Sequence, residues 1–263
     1  MIERRPNLGA RTPFHACACG LPGAHASSTQ PTLTFSTIRG TILPMLEHGR
    51  RMLLWIAGVA LMTSALAACA STSVRLDRGP REYVAADYLP VLKKWTRTGQ
   101  LLTLSEFDDL LTVTATFESY DFRWAYVVRY AQDYRLTVDQ RRRLLDSTLA
   151  EAEDHHQFYV ALYGTNWRWT DLNKPESGWL VRLIDDVGSE TAPEEIVAIR
   201  KPGAIERTYF PYTSPWRRVY RIRFPVTTSE GQPTISKGAR WFGLRFAGAQ
   251  GNQELHWDIE QDE

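Results

Sequence analysis

The alternation of apolar and polar positions is most regular between residues 111 and 117, where Leu111, Val113, Ala115 and Phe117 alternate with Thr112, Thr114 and Thr116. A period of two predicts a strand with one face buried, and the hydroxyl-rich threonine face is expected in solvent. The spacing then turns helical. Ser119 precedes Phe122, Tyr126 and Tyr130, and Thr137-Val-Asp-Gln140 has the form of a capping box leading into Leu144, Leu145, Leu149 and Ala152. These runs predict a helical hairpin within residues 119–156, lying on one side of a sheet.

From Gln157 the period of two returns. Phe158, Val160 and Leu162 share one face, followed by Trp179, Val181 and Leu183, by Tyr220, Ile222 and Phe224, by Phe242, Leu244 and Phe246, and by Leu255 and Trp257. Gly, Pro, Asn and Asp clusters at 164, 173–175, 185–188, 203, 230–233 and 248–251 separate them as turns. With weaker candidates at Glu195–Arg200 and Arg207–Phe210, the count reaches about eight strands, the spacing of a sandwich. The expected fold is mostly β within the α+β class: a β-sandwich with a helical hairpin near its start. Trp179, Trp216 and Trp257 are expected to compete for its interior.

A different pattern precedes this domain. Met52 to Ala68 is an uncharged, predominantly apolar run of 17 residues behind Arg50 and Arg51, the order of an n-region and an h-region. It ends in Leu66-Ala67-Ala68-Cys69, which resembles the lipobox of bacterial lipoproteins. That resemblance implies cleavage before Cys69, a diacylglycerol on its thiol and a stable anchor, because two or more acyl chains hold where one exchanges. The alternative is an uncleaved spanning helix at the lower length limit of about 17 residues. Ala70, where lipoproteins retained at the inner membrane often carry Asp, implies an outer-membrane lipoprotein facing the periplasm or the cell surface. The chain thus divides into a disordered leader or early-annotated start (1–44), a lipoprotein signal peptide (45–68), a tether (69–82) and a single sandwich domain (83–263).

The order of WTRTG (95–99), TATF (114–117), SGWLVRL (177–183), a Phe-Pro loop, YRIRFP (220–225) and LRFAG (244–248) resembles bacterial envelope lipoproteins that carry an immunoglobulin-like sandwich. The likeness covers about two thirds of the chain and implies that fold; it brings no catalytic residue.

Composition narrows the chemistry. The three cysteines are Cys17, Cys19 and Cys69, so the domain has no thiol for a disulfide, a thiolate nucleophile or a zinc ligand. Six arginines and two acids fall within residues 1–69, so 25 of the 31 basic and 28 of the 30 acidic side chains follow, a net of −3. Such a domain has no global basic field for nucleic acid, although a local patch is compatible with it. HExxH, GxSxG, P-loop and GxGxxG patterns are absent from the sequence, and no catalytic residue, cofactor or metal ligand is assigned.

Four constellations remain. His155 and His156 are placed at the end of the second helix, where a cation complements the helix dipole. The acid pairs Asp108-Asp109, Asp185-Asp186 and Glu194-Glu195 fit solvated turns better than calcium sites, which need six to eight oxygens. Trp167 and Trp169, two apart on an extended chain, would point the same way and form a stacking platform for a sugar. Arg217, Arg221 and Arg223 share a parity and form a basic stripe on the outside of a sheet, which fits a solvated face paired with neighbouring Asp and Glu better than a contact with an anionic surface. The resulting expectation is a non-enzymatic envelope lipoprotein that contacts the membrane through its lipid and binds another envelope protein or glycan. The alternatives are a hydrolase acting on glycan or peptidoglycan and a carbohydrate-binding module.

Overall fold

The computed structural model describes residues 72–103 and 108–261. Cys69, the signal peptide and the leader lie outside the described residues. Among the described residues no helix is long and apolar enough to cross a membrane.

Among the described residues nine strands and four helices follow a short 3-10 turn at Ala85–Asp87. In chain order they are α1 (Tyr88–Trp95), β1 (Thr96–Thr103), β2 (Asp108–Phe117), α2 (Tyr120–Asp133), α3 (Val138–Asp154), β3 (His155–Tyr163), β4 (Leu180–Asp185), β5 (Glu190–Thr191), β6 (Glu195–Ala198), α4 (Ala204–Tyr209), β7 (Arg218–Pro225), β8 (Trp241–Gly248) and β9 (Gly251–Asp258). They form two antiparallel sheets, ordered β1-β2-β3-β7-β6 and β5-β4-β8-β9. The architecture is strand-rich and sandwich-like.

The inward residues of each alternating run explain why the sheets face each other. Phe158, Val160, Leu162, Val181, Leu183, Ile222, Phe224, Phe242, Leu244, Phe246 and Trp257 are all buried in one apolar cluster. Phe117 meets Phe242 with ring centroids 5.1 Å apart, and Phe158 meets Trp257 at 5.6 Å. Each aromatic removes a large apolar area from water, so this seam dominates the sheet-to-sheet attraction.

A third layer covers the first sheet from outside. Tyr159, on the outer face of β3, stacks on Phe210 at 3.7 Å, and its hydroxyl lies 2.9 Å from Thr213 Oγ1. This layer corrects the threonine face expected in solvent: Thr114 and Thr116 are buried. Their hydroxyls are compensated, since Thr116 Oγ1 is 2.6 Å from both Thr96 Oγ1 and the Tyr212 hydroxyl, and Arg217 Nη1 donates to Thr114 Oγ1 at 2.9 Å. A buried hydroxyl with a partner costs little, so β2 carries threonine on a covered face.

Both expected helix starts form. Ser119 Oγ accepts the Phe122 N–H, and in a full capping box the Thr137 hydroxyl accepts the Gln140 N–H while the Thr137 N–H donates to Gln140 Oε1. α3 has no fully buried residue and is held to α2 by Arg123, whose Nη1 reaches Thr148 O at 2.9 Å and Glu151 Oε2 at 3.2 Å.

Other expectations are corrected. Helix α4 replaces the strand expected over Arg207–Phe210, because Glu206 Oε2 accepts the Gly203 N–H at 2.7 Å and starts a helical turn. His155 and His156 open β3 instead of closing a helix. Trp179 and Trp257 are buried, but Trp216 is 76% exposed. Val74, Arg75 and Arg81, within the stretch expected as a tether, contact the domain. Val74 is fully buried and forms a parallel bridge with Ile259, while Arg81 and Tyr83 both donate to Asp121 Oδ1.

Candidate functional site: a cationic groove beside Trp167

The site begins where β3 ends. The chain turns through residues 164–178 before entering β4, and Tyr220 holds the turn against β7: its hydroxyl donates to Thr170 O at 2.9 Å and accepts the Leu172 N–H at 3.2 Å. Burial raises the Tyr220 phenol above its ordinary pKa, so it stays a neutral donor. Asn173 fastens the far side by donating to Ile196 O at 2.7 Å.

Between this turn, the end of β6, helix α4 and the segment before β7 lies a groove of about 850 Å³. Six cations line it: Lys174, Arg200, Lys201, Arg207, Arg217 and Arg218. Its one carboxylate, Asp171, is committed, with Oδ2 at 3.0 Å from Arg218 Nη1 and 3.9 Å from Lys174 Nζ. Arg217 bonds to the Thr114 hydroxyl. Among the described residues, Arg200, Lys201 and Arg207 have no carboxylate within ion-pair distance. This is a local positive field on a near-neutral domain, an arrangement that attracts an anion.

Trp167 forms one wall. The Arg218 guanidinium lies 4.1 Å from its ring centroid, which orients both side chains. Beyond Trp167 a second hollow of about 630 Å³ is lined by Leu110, Thr165, Asn166, Trp167, Arg168, Trp169 and Gln250. Trp167 is 47% and Trp169 39% exposed, so both rings reach solvent. Their geometry differs from the extended platform expected: residues 166–170 form a tight turn in which Asn166 Oδ1 accepts the Arg168 N–H and Trp169 donates to Asn166 O. Trp169 leans on Gly178, where even a Cβ would stand 2.9 Å from the Trp169 Cβ.

The arginine stripe is divided. Arg217 precedes β7 and lines the groove, whereas Arg221 and Arg223 lie farther along the strand and are compensated. Arg221 Nε is 3.5 Å from Glu118 Oε1, and that carboxylate raises the Arg221 pKa. Arg223 donates to Gln157 at 2.8 Å and to Glu195 at 2.9 Å. Sequence reasoning missed Arg200, Lys201 and Arg207, and the one signal available was that no acid neighbours Arg200-Lys201 on either side until Glu206 and Glu195.

The other constellations have structural partners. Asp185 is buried and accepts the N–H groups of Val187, Gly188, Ser189 and Ser236. Burial opposes its charge, but those bonds outweigh burial and hold its pKa below the usual range. His155 Nε2 is 3.3 Å from Glu194, and His156 packs against Phe117. Among the described residues no group of three His, Cys, Asp or Glu side chains is placed to hold a metal ion.

No protein-family model and no curated protein matches the sequence. The chain is similar to a solved structure, a protein of unknown function from Burkholderia pseudomallei K96243, at 15% identity over 66% of this chain and 82% of that one, with a TM-score of 0.34.

Proposed function

We propose that this chain is a non-enzymatic lipoprotein of the bacterial envelope, anchored at the outer membrane on its periplasmic side through acyl groups on Cys69. Its domain binds an anionic envelope component in the groove beside Trp167. The observation that carries the binding reading is the groove itself: six cations, one committed carboxylate and a solvent-reaching tryptophan wall. The cations supply attraction, and the tryptophan supplies a flat face on which a sugar ring stacks.

The domain is read as immunoglobulin-like. The order β2-β3-β7-β6 opposite β5-β4-β8-β9 corresponds to ABED opposite C′CFG, with β1 added beside the A position and α2–α3 inserted between A and B. In this reading the aromatic seam joins the two sheets, with Phe117 on A meeting Phe242 on F and Phe158 on B meeting Trp257 on G.

Two measurements test the proposal. Lipidated protein in neutral detergent micelles is titrated with a phosphate-bearing polysaccharide and with its neutral counterpart; selective, salt-weakened binding of the anionic polymer is expected, and equal binding of both would overturn the groove's role. Cys69→Ala is expected to release the domain from membranes or to leave an unprocessed precursor. Normal processing with membrane retention would overturn the anchor.

A further inference from the structure

Strand β9 gives the domain two poles. Immediately before its first residue stands Gln250, which lines the hollow beside Trp167. At its other end Asp258 O accepts the Val74 N–H at 2.7 Å, and Val74 O accepts the Glu260 N–H at 2.8 Å. Eight residues of antiparallel strand separate these ends by about 27 Å. The first sheet repeats the arrangement, with Leu162 paired to Arg218 at the groove pole and His155 paired to Pro225 at the other.

The chain therefore enters the domain at the pole opposite the groove, and it is fixed there. Val74 is fully buried, Arg97 Nη2 donates to Thr72 O at 2.9 Å, and Asp121 receives Arg81, Tyr83 and Trp95. Val74 lies five positions beyond Cys69, a reach of at most about 17 Å. A groove aimed straight at the anchoring bilayer would lift the entry pole about 27 Å above it, beyond that reach.

We infer that the groove takes its ligand from an anionic glycan strand standing off the anchoring membrane, and not from the headgroups of that membrane. The inference rests on the proposed Cys69 anchor and on the groove as a binding site. A strand of this kind offers both features the site is built for: charged groups for Arg200, Lys201 and Arg207, and sugar rings for Trp167 and the hollow of Asn166 and Gln250. Neutral sugars spaced between charges suit two hollows that share one tryptophan wall.

The test uses the cysteine-free sequence beyond Cys69, whose own thiol is consumed by the lipid. Lipidated Asp77→Cys, near the entry pole, and Glu176→Cys, near the groove pole, are each labelled with a donor and placed in neutral vesicles carrying a headgroup acceptor. Transfer several-fold stronger from position 77 than from 176 is expected; equal or reversed transfer overturns the orientation. In parallel, unlabelled protein in neutral and in phosphatidylglycerol-rich vesicles is titrated with the phosphate-bearing polysaccharide. Similar affinity in both is expected, and loss of polysaccharide binding in the anionic vesicles shows that headgroups occupy the groove and overturns the inference. Failure of the polysaccharide to bind even in micelles refutes the binding reading instead, while the transfer ratio still decides the orientation.

Discussion

The arginines on and beside β7 meet two different electrostatic fates. Arg221 and Arg223 face Glu118, Gln157 and Glu195, so their charge is compensated within the fold. Arg217 lies one residue before the strand and joins Arg200, Lys201 and Arg207 in a groove whose one carboxylate is already committed. Parity along the strand does not distinguish these groups. What separates them is whether a free acid lies within reach: Glu118, two residues before α2, reaches Arg221 and Glu195 on β6 reaches Arg223, whereas the groove's carboxylate, Asp171, is held by Arg218 and Lys174. A near-neutral domain thus holds a strongly cationic patch, and pairing, not net charge, locates it.

The paired end is the place for the largest effect. Glu118 is buried, with Arg123 Nη2 at 3.8 Å and Arg221 Nε at 3.5 Å, so Glu118→Ala takes the carboxylate from Arg221 and leaves Arg123 with the exposed Glu151 alone. A loss of about 3 kcal/mol in denaturant unfolding is expected, with anion binding in the groove unchanged. A loss in binding equal to that of groove variants would erase the distinction between the two regions.

Acid should act on the entry pole before it acts on the groove. Burial, with Arg78 nearby, pushes the His156 pKa down to about 4, while in the unfolded chain it titrates near 6.5. Between those values the unfolded chain takes up a proton that the folded one refuses, so stability falls as pH drops from about 6.5 to 4, by roughly 2–3 kcal/mol. Asp121 adds a separate limb at lower pH: burial opposes its charge, but bonds from Tyr83, Trp95 and Arg81 outweigh burial and hold its pKa down. Chemical unfolding against pH should show the first limb in the parent protein and not in His156→Phe; an unchanged limb would rule out His156 as its source.

Trp167→Ala has the smallest expected effect. It removes the ring beneath Arg218, a contact worth about 0.5–1 kcal/mol at an exposed site, and leaves the core intact. Affinity for an anionic polysaccharide should fall about fivefold, while affinity for inorganic phosphate holds. Equal loss for both would show that Trp167 serves only to orient Arg218.

Much of this fold is legible in the sequence because its strongest signals are local. The inward sets at 158–162, 179–183, 220–224, 242–246 and 255–257 are buried as their alternation requires, and Ser119 and Thr137 cap the helices they precede. The signal for α1 was also present, in Tyr88, Val91, Leu92 and Trp95 at helical spacing, all buried. What alternation cannot convey is a second burial partner. Thr116 and Tyr159 read as outward residues, and only the helices inserted between β2 and β3, together with Phe210 and Tyr212, make their side of the sheet an interior. The groove was half legible. Trp167 and Arg217 stood out, but for a platform and a stripe; their companions come from the segments 171–174, 198–202 and 207, which only the sheet order of β6 beside β7 brings together.

The proposed function requires that the uncompensated cations of the groove bind an anionic glycan while the compensated ones on β7 do not. Titrating the phosphate-bearing polysaccharide into the parent protein, Lys201→Ala/Arg207→Ala and Arg223→Ala at two salt concentrations tests it most directly. With about 1 kcal/mol for each exposed cation near an anionic partner, the double variant should bind about 30-fold more weakly and with a shallower salt dependence, and Arg223→Ala should bind like the parent. Equal affinity in all three proteins, or a loss confined to Arg223→Ala, would contradict the account.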